Sequence, residues 1–415
     1  MTGNPANDAV LRNVKVPRLL LAQPDRFGGQ RDQDCLSGDL VIREGKAVGM
    51  TASAAAEAPA RLVLPRLTEC HVHLDKCHTI SRMEGVGGDL RAAIEAQAAD
   101  RQHWTVEDIR ARAARGLDEL IAAGCGAIRS HVDWGSDTSR LAPSLAWQVL
   151  CELAQEYRNR ARVQLAALTG ADDMADPEVA DVIARQVASA GGVLGVFTLD
   201  HLGRREGIRN AFAMAEKYQL ALDFHVDEGL APGLDGLEFI ADEAIRTGFQ
   251  GPVLCGHACS LMNIGTDALK PLAEKLARAG VAVACLPSSN LYLQGRGDGT
   301  PDRRGLTRVR ELLDAGVRVL AGTDNVRDAF CPLGRHDPLH SLALAALAAH
   351  LDPPYGQFLP MITTNAEHAL GLAPTYVDGA AIGDLLLFDA ATTPDLLAGG
   401  GAPVALADAI KGELQ

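Results

Sequence analysis

Residues 61–75 read RLVLPRLTECHVHLD, a largely apolar run that ends with two histidines one residue apart. Such a run is typical of a parallel β-strand that is buried on both faces. Side chains at positions i and i+2 of a strand point to the same side, so His71 and His73 are expected to converge where the strand ends. Two imidazoles placed in this way have the geometry of metal ligands, and two ordinary polar residues at a strand end are the other reading of the same pattern.

Seven further apolar runs follow this stretch and alternate with helical patterns. They cover residues 127–134, 162–170, 193–200, 221–228, 252–259, 281–290 and 318–325. The intervening stretches, such as VEDIRARAARGLDELIAAG (106–124) and TDALKPLAEKLARAG (266–280), repeat apolar residues at helical spacing and end at a glycine suited to a C-cap. Eight such units predict a (β/α)₈ TIM-like barrel.

The two ends of the chain have a different pattern. DLVIREGKAVGM (39–50) and AIGDLLLFDA (381–390) contain strand-like runs without a helix between them. We expect both ends to pair into a small β-sandwich domain. The predicted boundaries are 1–64 plus 372–415 for this β-domain and 65–371 for the barrel.

Composition narrows the classes of function. The chain has 415 residues and a formal net charge of −14, which argues against nucleic acid or an anionic membrane as a partner. No basic segment followed by an apolar stretch opens the sequence, and no run of about 18 apolar residues occurs, so we expect a cytoplasmic protein. Its nine cysteines form no CxxC pair, which suits a reducing compartment.

Polar residues stand at the ends of several predicted strands. His225 lies in HVDE, His257 in CGHAC and Asp324 in AGTDN. The carboxyl ends of parallel barrel strands meet at one mouth, where active sites of this architecture lie. Imidazole and carboxylate together suit Zn²⁺ or Fe²⁺, and three or four protein ligands leave a position for water.

Four segments resemble the amidohydrolase superfamily in order and spacing, and their details are similar to the cytosine deaminases and the neighbouring N-isopropylammelide isopropylamidohydrolases. They are HVHLD (71–75), HVDE (225–228), LQGR with RRGLTRV (293–296 and 303–309) and DNVRDAFCPLG (324–334). The resemblance covers nearly all of the barrel. It implies one divalent metal ion, Zn²⁺ or Fe²⁺, because VLGVFTLD (193–200) lacks the lysine of the binuclear subgroup. It also favours a homo-oligomer.

The implied metal ligands are His71, His73, His225 and Asp324.

The resemblance also implies roles for three catalytic residues. A divalent cation lowers the pKa of water from about 15.7 to about 7 and so supplies hydroxide. Asp324 would accept the proton of the attacking oxygen, which His257 would hold or polarise. Glu228 would protonate a ring nitrogen and help the amine to leave. The expected activity is hydrolytic deamination of an amino-substituted N-heterocycle.

The predicted substrate positions depart from the cytosine deaminases. Gly170 stands where that family has a glutamine, and Phe330 stands where it has a tryptophan. A polar group of the substrate that finds no hydrogen-bond partner in the pocket costs binding free energy, so cytosine is a poorer candidate. A methylated pyrimidine, an oxidised purine, a pterin or an s-triazine remains compatible. Asp200 is either a recognition residue or a surface carboxylate. Lys76 either contacts an anionic substrate group or, like Asp75, takes part in a structural salt bridge.

Two other functions stay open on the sequence. One is hydrolysis of an N-alkylamino-s-triazine or of a cyclic amide, in which the product would be an alkylamine or a ring-opened acid. The other is a barrel without catalysis that serves as a binding protein. Against the second stands the presence of every proposed ligand together with Glu228. In the hydrolytic readings, the partner is a small heterocyclic molecule.

Overall fold

A computed structural model of the chain describes residues 8–53, 60–135, 139–199, 201–297, 299–301 and 303–413. The N-terminal part consists of strands, and a 3-10 helix (Arg18–Leu20) and a short α-helix, α1 (Pro24–Phe27), follow the first of them. These strands are β1 (Ala9–Pro17), β2 (Gln30–Asp32), β3 (Cys35–Arg43), β4 (Lys46–Thr51) and β5 (Arg61–Pro65).

Eight parallel strands form the central barrel. Their order in the sheet follows their order in the chain, and each pairs in parallel with the next. They are β6 (Leu67–Val72), β7 (Cys125–Asp133), β8 (Arg162–Gly170), β9 (Val193–Phe197), β10 (Leu222–Val226), β11 (Val253–His257), β12 (Ala282–Cys285) and β13 (Val319–Ala321). The predicted (β/α)₈ barrel is confirmed.

Helices connect these strands and cover the barrel. They are α2 (Leu90–Asp100), α3 (Val106–Ala122), α4 (Leu145–Tyr157), α5 (Ala171–Met174), α6 (Pro177–Ser189), α7 (Arg204–Tyr218), α8 (Gly236–Thr247), α9 (Thr266–Ala279), α10 (Pro287–Leu293), α11 (Val309–Asp314), α12 (Pro338–Ala348) and α13 (Thr364–Ala369). Helix α3 begins where the Thr105 side chain accepts a hydrogen bond from the Asp108 N–H. Helix α9 ends at Gly280 with a φ of +68°, which is the predicted glycine C-cap.

The two ends of the chain meet in a second, mixed sheet. The C-terminal part adds β14 (Leu385–Phe388), α14 (Thr393–Leu397), β15 (Val404–Ala405) and α15 (Leu406–Glu413). The sheet runs in the order β15-β14-β5-β1-β3-β2, with β4 paired to β3. A small β-domain built from both ends is therefore confirmed, and its boundaries in the sequence remain a prediction.

The barrel has a seam between its first and last strands. Strands β6 and β13 stand at the two ends of the strand order, and among the described residues a bridge between Val72 and Asp324 joins the two sides. The Asp324 N–H donates to the His71 carbonyl oxygen over 2.8 Å. The seam is thus closed by residues that the sequence assigns to the metal site.

The interior is built from small and aliphatic side chains. The buried core consists chiefly of leucine, valine and alanine. Within the part of the chain that the structure describes, no helix has the length and apolar character needed to cross a membrane.

Candidate active site

Three imidazoles and one carboxylate converge at the carboxyl end of the barrel. The Nε2 atoms of His71 and His73 each lie 3.1 Å from Nε2 of His225. Oδ1 of Asp324 lies 3.3 Å from Nε2 of His73 and 3.6 Å from Nε2 of His71. The structure therefore brings together all four ligands that the sequence predicts.

This arrangement fits a divalent cation better than it fits a hydrogen-bond network. Two Nε2 atoms face the single Nε2 of His225, which can carry only one proton, and neither oxygen of Asp324 has an aligned donor among the described residues. Around a tetrahedral ion with bonds of about 2.0–2.2 Å, donor atoms lie roughly 3.4 Å apart. The four separations given above, 3.1–3.6 Å, lie close to that value.

Burial sets the protonation of these histidines. It lowers the pKa of His71 and His225 well below the usual range, and it also lowers the pKa of His73. Burial alone would raise the pKa of Asp324, but the imidazoles of His73 and His257 outweigh it and lower that pKa to about 2. Neutral imidazoles and an ionised carboxylate are the forms that bind a metal ion.

Two further side chains flank this cluster. The Nδ1 of His257 lies 3.1 Å from Oδ1 of Asn290, which places the proton on Nδ1 and leaves Nε2 as an acceptor. Oε2 of Glu228 is 3.6 Å from that Nε2. Burial raises the pKa of Glu228 to about 7, so this carboxyl group can both hold and release a proton near neutral pH.

A carboxylate that the sequence did not predict links the backbone beside two of the predicted ligands across the seam. Glu69 is fully buried and accepts hydrogen bonds from the His71 N–H, at 2.8 Å, and the Thr323 N–H, at 3.2 Å. It lies two residues before His71 on the same face of β6, so the E-x-H-x-H spacing was the available signal. Glu69 fixes the backbone beside both His71 and Asp324.

The Lys76 ammonium is occupied by protein carboxylates. It lies 2.7 Å from Oδ1 of Asp133 and 3.9 Å from Asp75, and Arg101 binds the other oxygen of Asp133 at 2.5 Å. Asp133 and Asp75 outweigh the effect of burial and raise the pKa of Lys76. This geometry favours the salt-bridge reading, with Asp133 as the main partner. The ammonium also stands 5.7 Å from the centre of the Phe330 ring.

A cavity of about 760 Å³ opens above the cluster. Gly170 and Phe330 both line it, as do Glu228 and His257. A Cβ at Gly170 would make ordinary contacts, 3.5 Å from Phe197 and 3.6 Å from His201, so the glycine leaves space inside the cavity. Asp200, the remaining predicted substrate residue, lies outside the described residues.

His131 packs against the ligand cluster. Its ring centre is 4.0 Å from that of His71, and its Nε2 lies 3.0 Å from Oδ1 of Asp223. Asp223 in turn receives a 2.9 Å hydrogen bond from the fully buried Arg129. This position suits an orienting or packing role for His131.

The chain is similar to known hydrolases. The chain is 31% identical over 403 residues to a pterin deaminase from Rhizobium rhizogenes, covering 93% of this chain and 90% of that one. It is 22% identical over 351 residues to the N-isopropylammelide isopropyl amidohydrolase of Pseudomonas sp. strain ADP, covering 82% of each.

Among solved structures, the 5-methylcytosine deaminase from Klebsiella pneumoniae liganded with 5-fluorocytosine superposes with a TM-score of 0.79 at 25% identity, covering 96% of each chain. A model of the amidohydrolase family matches residues 106–377. These relatives, with the barrel and its His-rich cluster, show a hydrolase that acts on C–N bonds, so the reading as a barrel without catalysis gains no support. The chain belongs to the amidohydrolase family.

Proposed function

We propose that the protein is a metal-dependent deaminase that replaces the amino group of an N-heterocycle by oxygen and releases ammonia. The observation that carries this proposal is the placement of Glu228 and His257 beside His71, His73, His225 and Asp324, at the floor of one cavity. A bound divalent ion supplies a nucleophilic hydroxide at neutral pH.

The chain's own residues supply the remaining steps. Asp324, ionised at neutral pH, accepts the proton of the attacking oxygen, while Nε2 of His257 is free to accept a hydrogen bond from it. Glu228 donates its proton to the ring nitrogen and then relays to the departing amine the proton that Asp324 has taken from the attacking oxygen. Water adds to the ring carbon, the C–N bond breaks, and an oxo-heterocycle and ammonia result.

We further propose a bicyclic substrate, with a pterin as the first compound to test. A relative with 31% sequence identity over 403 residues is a pterin deaminase. The cavity volume of about 760 Å³ and the missing side chain at Gly170 leave room beyond a single pyrimidine ring. Phe197 and Phe330 supply apolar surface for a flat ring.

Ammonia release tests the proposal. The zinc- and iron-loaded protein would be assayed with aminopyrimidines, aminopurines, pterins and aminotriazines, and mass spectrometry would follow alkylamines and ring-opened acids. We expect ammonia from a pterin, with loss of activity on chelation. Alkylamine release would instead support the N-alkylamino-s-triazine reading, and a ring-opened acid would support cyclic-amide hydrolysis. If none of these compounds released ammonia, deamination of these heterocycles would be refuted.

A further inference from the structure

A second group of metal-binding side chains lies outside the cavity. It consists of His78, Glu119 and His336, whose donor atoms all lie within 4.8 Å of one another. His78 follows β6, Glu119 belongs to α3, and His336 lies between β13 and α12. We propose that these three residues form a second site for one divalent cation of the zinc type, with a structural role.

The distances suit a shared ion. Oε2 of Glu119 lies 3.1 Å from Nε2 of His78 and 2.8 Å from Nδ1 of His336. Donor atoms around a tetrahedral zinc ion are roughly 3.4 Å apart, so a small outward movement of the carboxylate admits the ion. Two imidazoles and one carboxylate are a known set of protein zinc ligands, and water completes such a site.

Burial and unpaired nitrogens give a second, independent observation. The side chains of His78 and His336 are 4% and 0% exposed. Neither ring nitrogen of His78 has an aligned hydrogen-bond partner among the described residues, and neither does Nε2 of His336. A buried polar atom without a partner costs free energy, and a bound cation would remove that cost at His78. Burial also lowers the pKa of both histidines, to about 4 for His78, which keeps them in the neutral, ligating form.

Two arginines stand beside the proposed site. Arg115 and Arg327 lie 3.0 Å and 3.6 Å from Oε1 of Glu119, the oxygen that faces away from the histidines. Their side chains are 56% and 43% exposed, so water screens much of their charge. They leave Oε2 to the histidines and weaken cation binding without preventing it. Removal of one arginine should therefore tighten binding.

The position of the site defines its role. The His78 N–H donates to the Val326 carbonyl oxygen over 3.1 Å, and the Ile80 N–H donates to that of Arg327 over 2.9 Å. The loops after β6 and β13 thus already lie side by side. A cation held by His78, Glu119 and His336 would fasten both loops to α3, which steadies the segments that follow His73 and Asp324.

Metal stoichiometry tests this site separately from the catalytic one. The full chain would be stripped by a chelator, dialysed against zinc and analysed for bound metal. We expect two ions per wild-type chain, one in His73→Ala, one in His336→Gln and none in the double variant. His340→Gln, an equivalent change in the neighbouring helix, should keep two. A single ion in the wild type that His336→Gln does not remove would overturn the proposal.

Two measurements avoid dependence on how well His336→Gln folds. Wild-type crystals grown with zinc should show an anomalous peak between His78 and His336, and a peak at the active site alone would refute the second site. Arg115→Gln should bind the second zinc ion several-fold more tightly, because a nearby positive charge is removed. An unchanged or weaker affinity would contradict the proposed ligation.

Discussion

At the scale of single residues, two residues of the candidate active site have an unusual backbone conformation. The φ angles of His257 and Asp324 are +71° and +58°, in the left-handed region that residues with a Cβ seldom adopt. Such conformations cost about 1–3 kcal/mol each and persist where surrounding contacts enforce them. Here the Asp324 N–H is fixed by His71, and the Ala258 N–H next to His257 is fixed by Val226.

His73→Ala should remove the catalytic metal and the activity together, because its Nε2 is one of the four converging donor atoms. Bound metal and turnover would be measured on the same preparation. His201→Ala changes a histidine of the cavity wall that lies outside the cluster. This control variant should retain the metal ion at the cluster. A fully active, metal-loaded His73→Ala would contradict the assignment.

Glu228→Gln should retain the metal and lose turnover by about 10²–10⁴-fold, the usual contribution of a positioned proton donor. The amide has nearly the same shape but cannot transfer a proton, so the substrate should still bind. Steady-state kinetics and metal analysis would be compared with the wild type. Wild-type kcat in this variant would rule out the proton-shuttle role.

Gly170→Gln should raise any weak activity on cytosine and lower activity on a bicyclic substrate. The new side chain would enter the cavity near Phe197 and His201, where it offers an amide to a pyrimidine edge and takes up space. The ratio of kcat/KM for the two rings is the measurement, with Gly170→Leu as a control of similar size without the amide. If both variants leave that ratio unchanged, Gly170 does not contact the substrate.

Several of these residues were predictable from the sequence and others were not. His71 and His73 follow from the two-residue period of a strand, and His225 and Asp324 follow from the meeting of parallel strand ends. The Lys76 partner Asp133 belongs to β7, and Asn290, which orients His257, lies on α10. Such pairs depend on side-chain geometry between distant segments, which spacing alone does not report.

At the scale of elements, helix α8 begins on a buried carboxylate inside the HVDE segment. Asp227 is 2% exposed and accepts hydrogen bonds from the N–H groups of Gly236 and Leu237, both at 3.0 Å. A negative charge at a helix N-terminus is stabilised by the helix dipole. Asp227 therefore ties the start of α8 to the loop that presents Glu228.

Asp227→Ala should destabilise the protein by about 3 kcal/mol, since two buried N–H groups lose a charged acceptor. It should also lower kcat, because the backbone beside Glu228 is released. Urea unfolding and kinetics would measure the two effects. Asp242→Ala on the same helix is the control: that side chain is 52% exposed and should matter by less than about 1 kcal/mol. Equal effects of the two substitutions would contradict this account.

At the scale of the whole molecule, the terminal sheet and the barrel are joined by specific contacts. Oδ2 of Asp34 accepts from the Gly356 N–H at 2.7 Å and from Oγ1 of Thr393 at 2.8 Å. One N-terminal carboxylate thus binds both the segment after α12 and the C-terminal part of the chain. The sequence predicted that the two ends of the chain would pair, but it could not predict these hydrogen bonds of Asp34.

Asp34→Ala should lower the free energy of unfolding by about 2–3 kcal/mol and leave kcat unchanged, because the lost contacts lie outside the active-site cavity. Chemical denaturation and the ammonia assay would be run in parallel. Asp25→Ala removes a carboxylate that is 93% exposed and should have almost no effect on stability. A drop in kcat without a loss of stability would show that Asp34 acts on the active site.

The position of the seam determines when the predicted metal site can form during synthesis of the chain. His71 and His73 leave the ribosome with the first barrel strand, whereas Asp324 appears only after the last one. With Asp324 as a ligand, the nascent chain cannot complete its metal site until all eight barrel strands have been synthesised. Metal binding then coincides with closure of the barrel. An ion that arrives earlier finds only histidines that the fold does not yet hold in place.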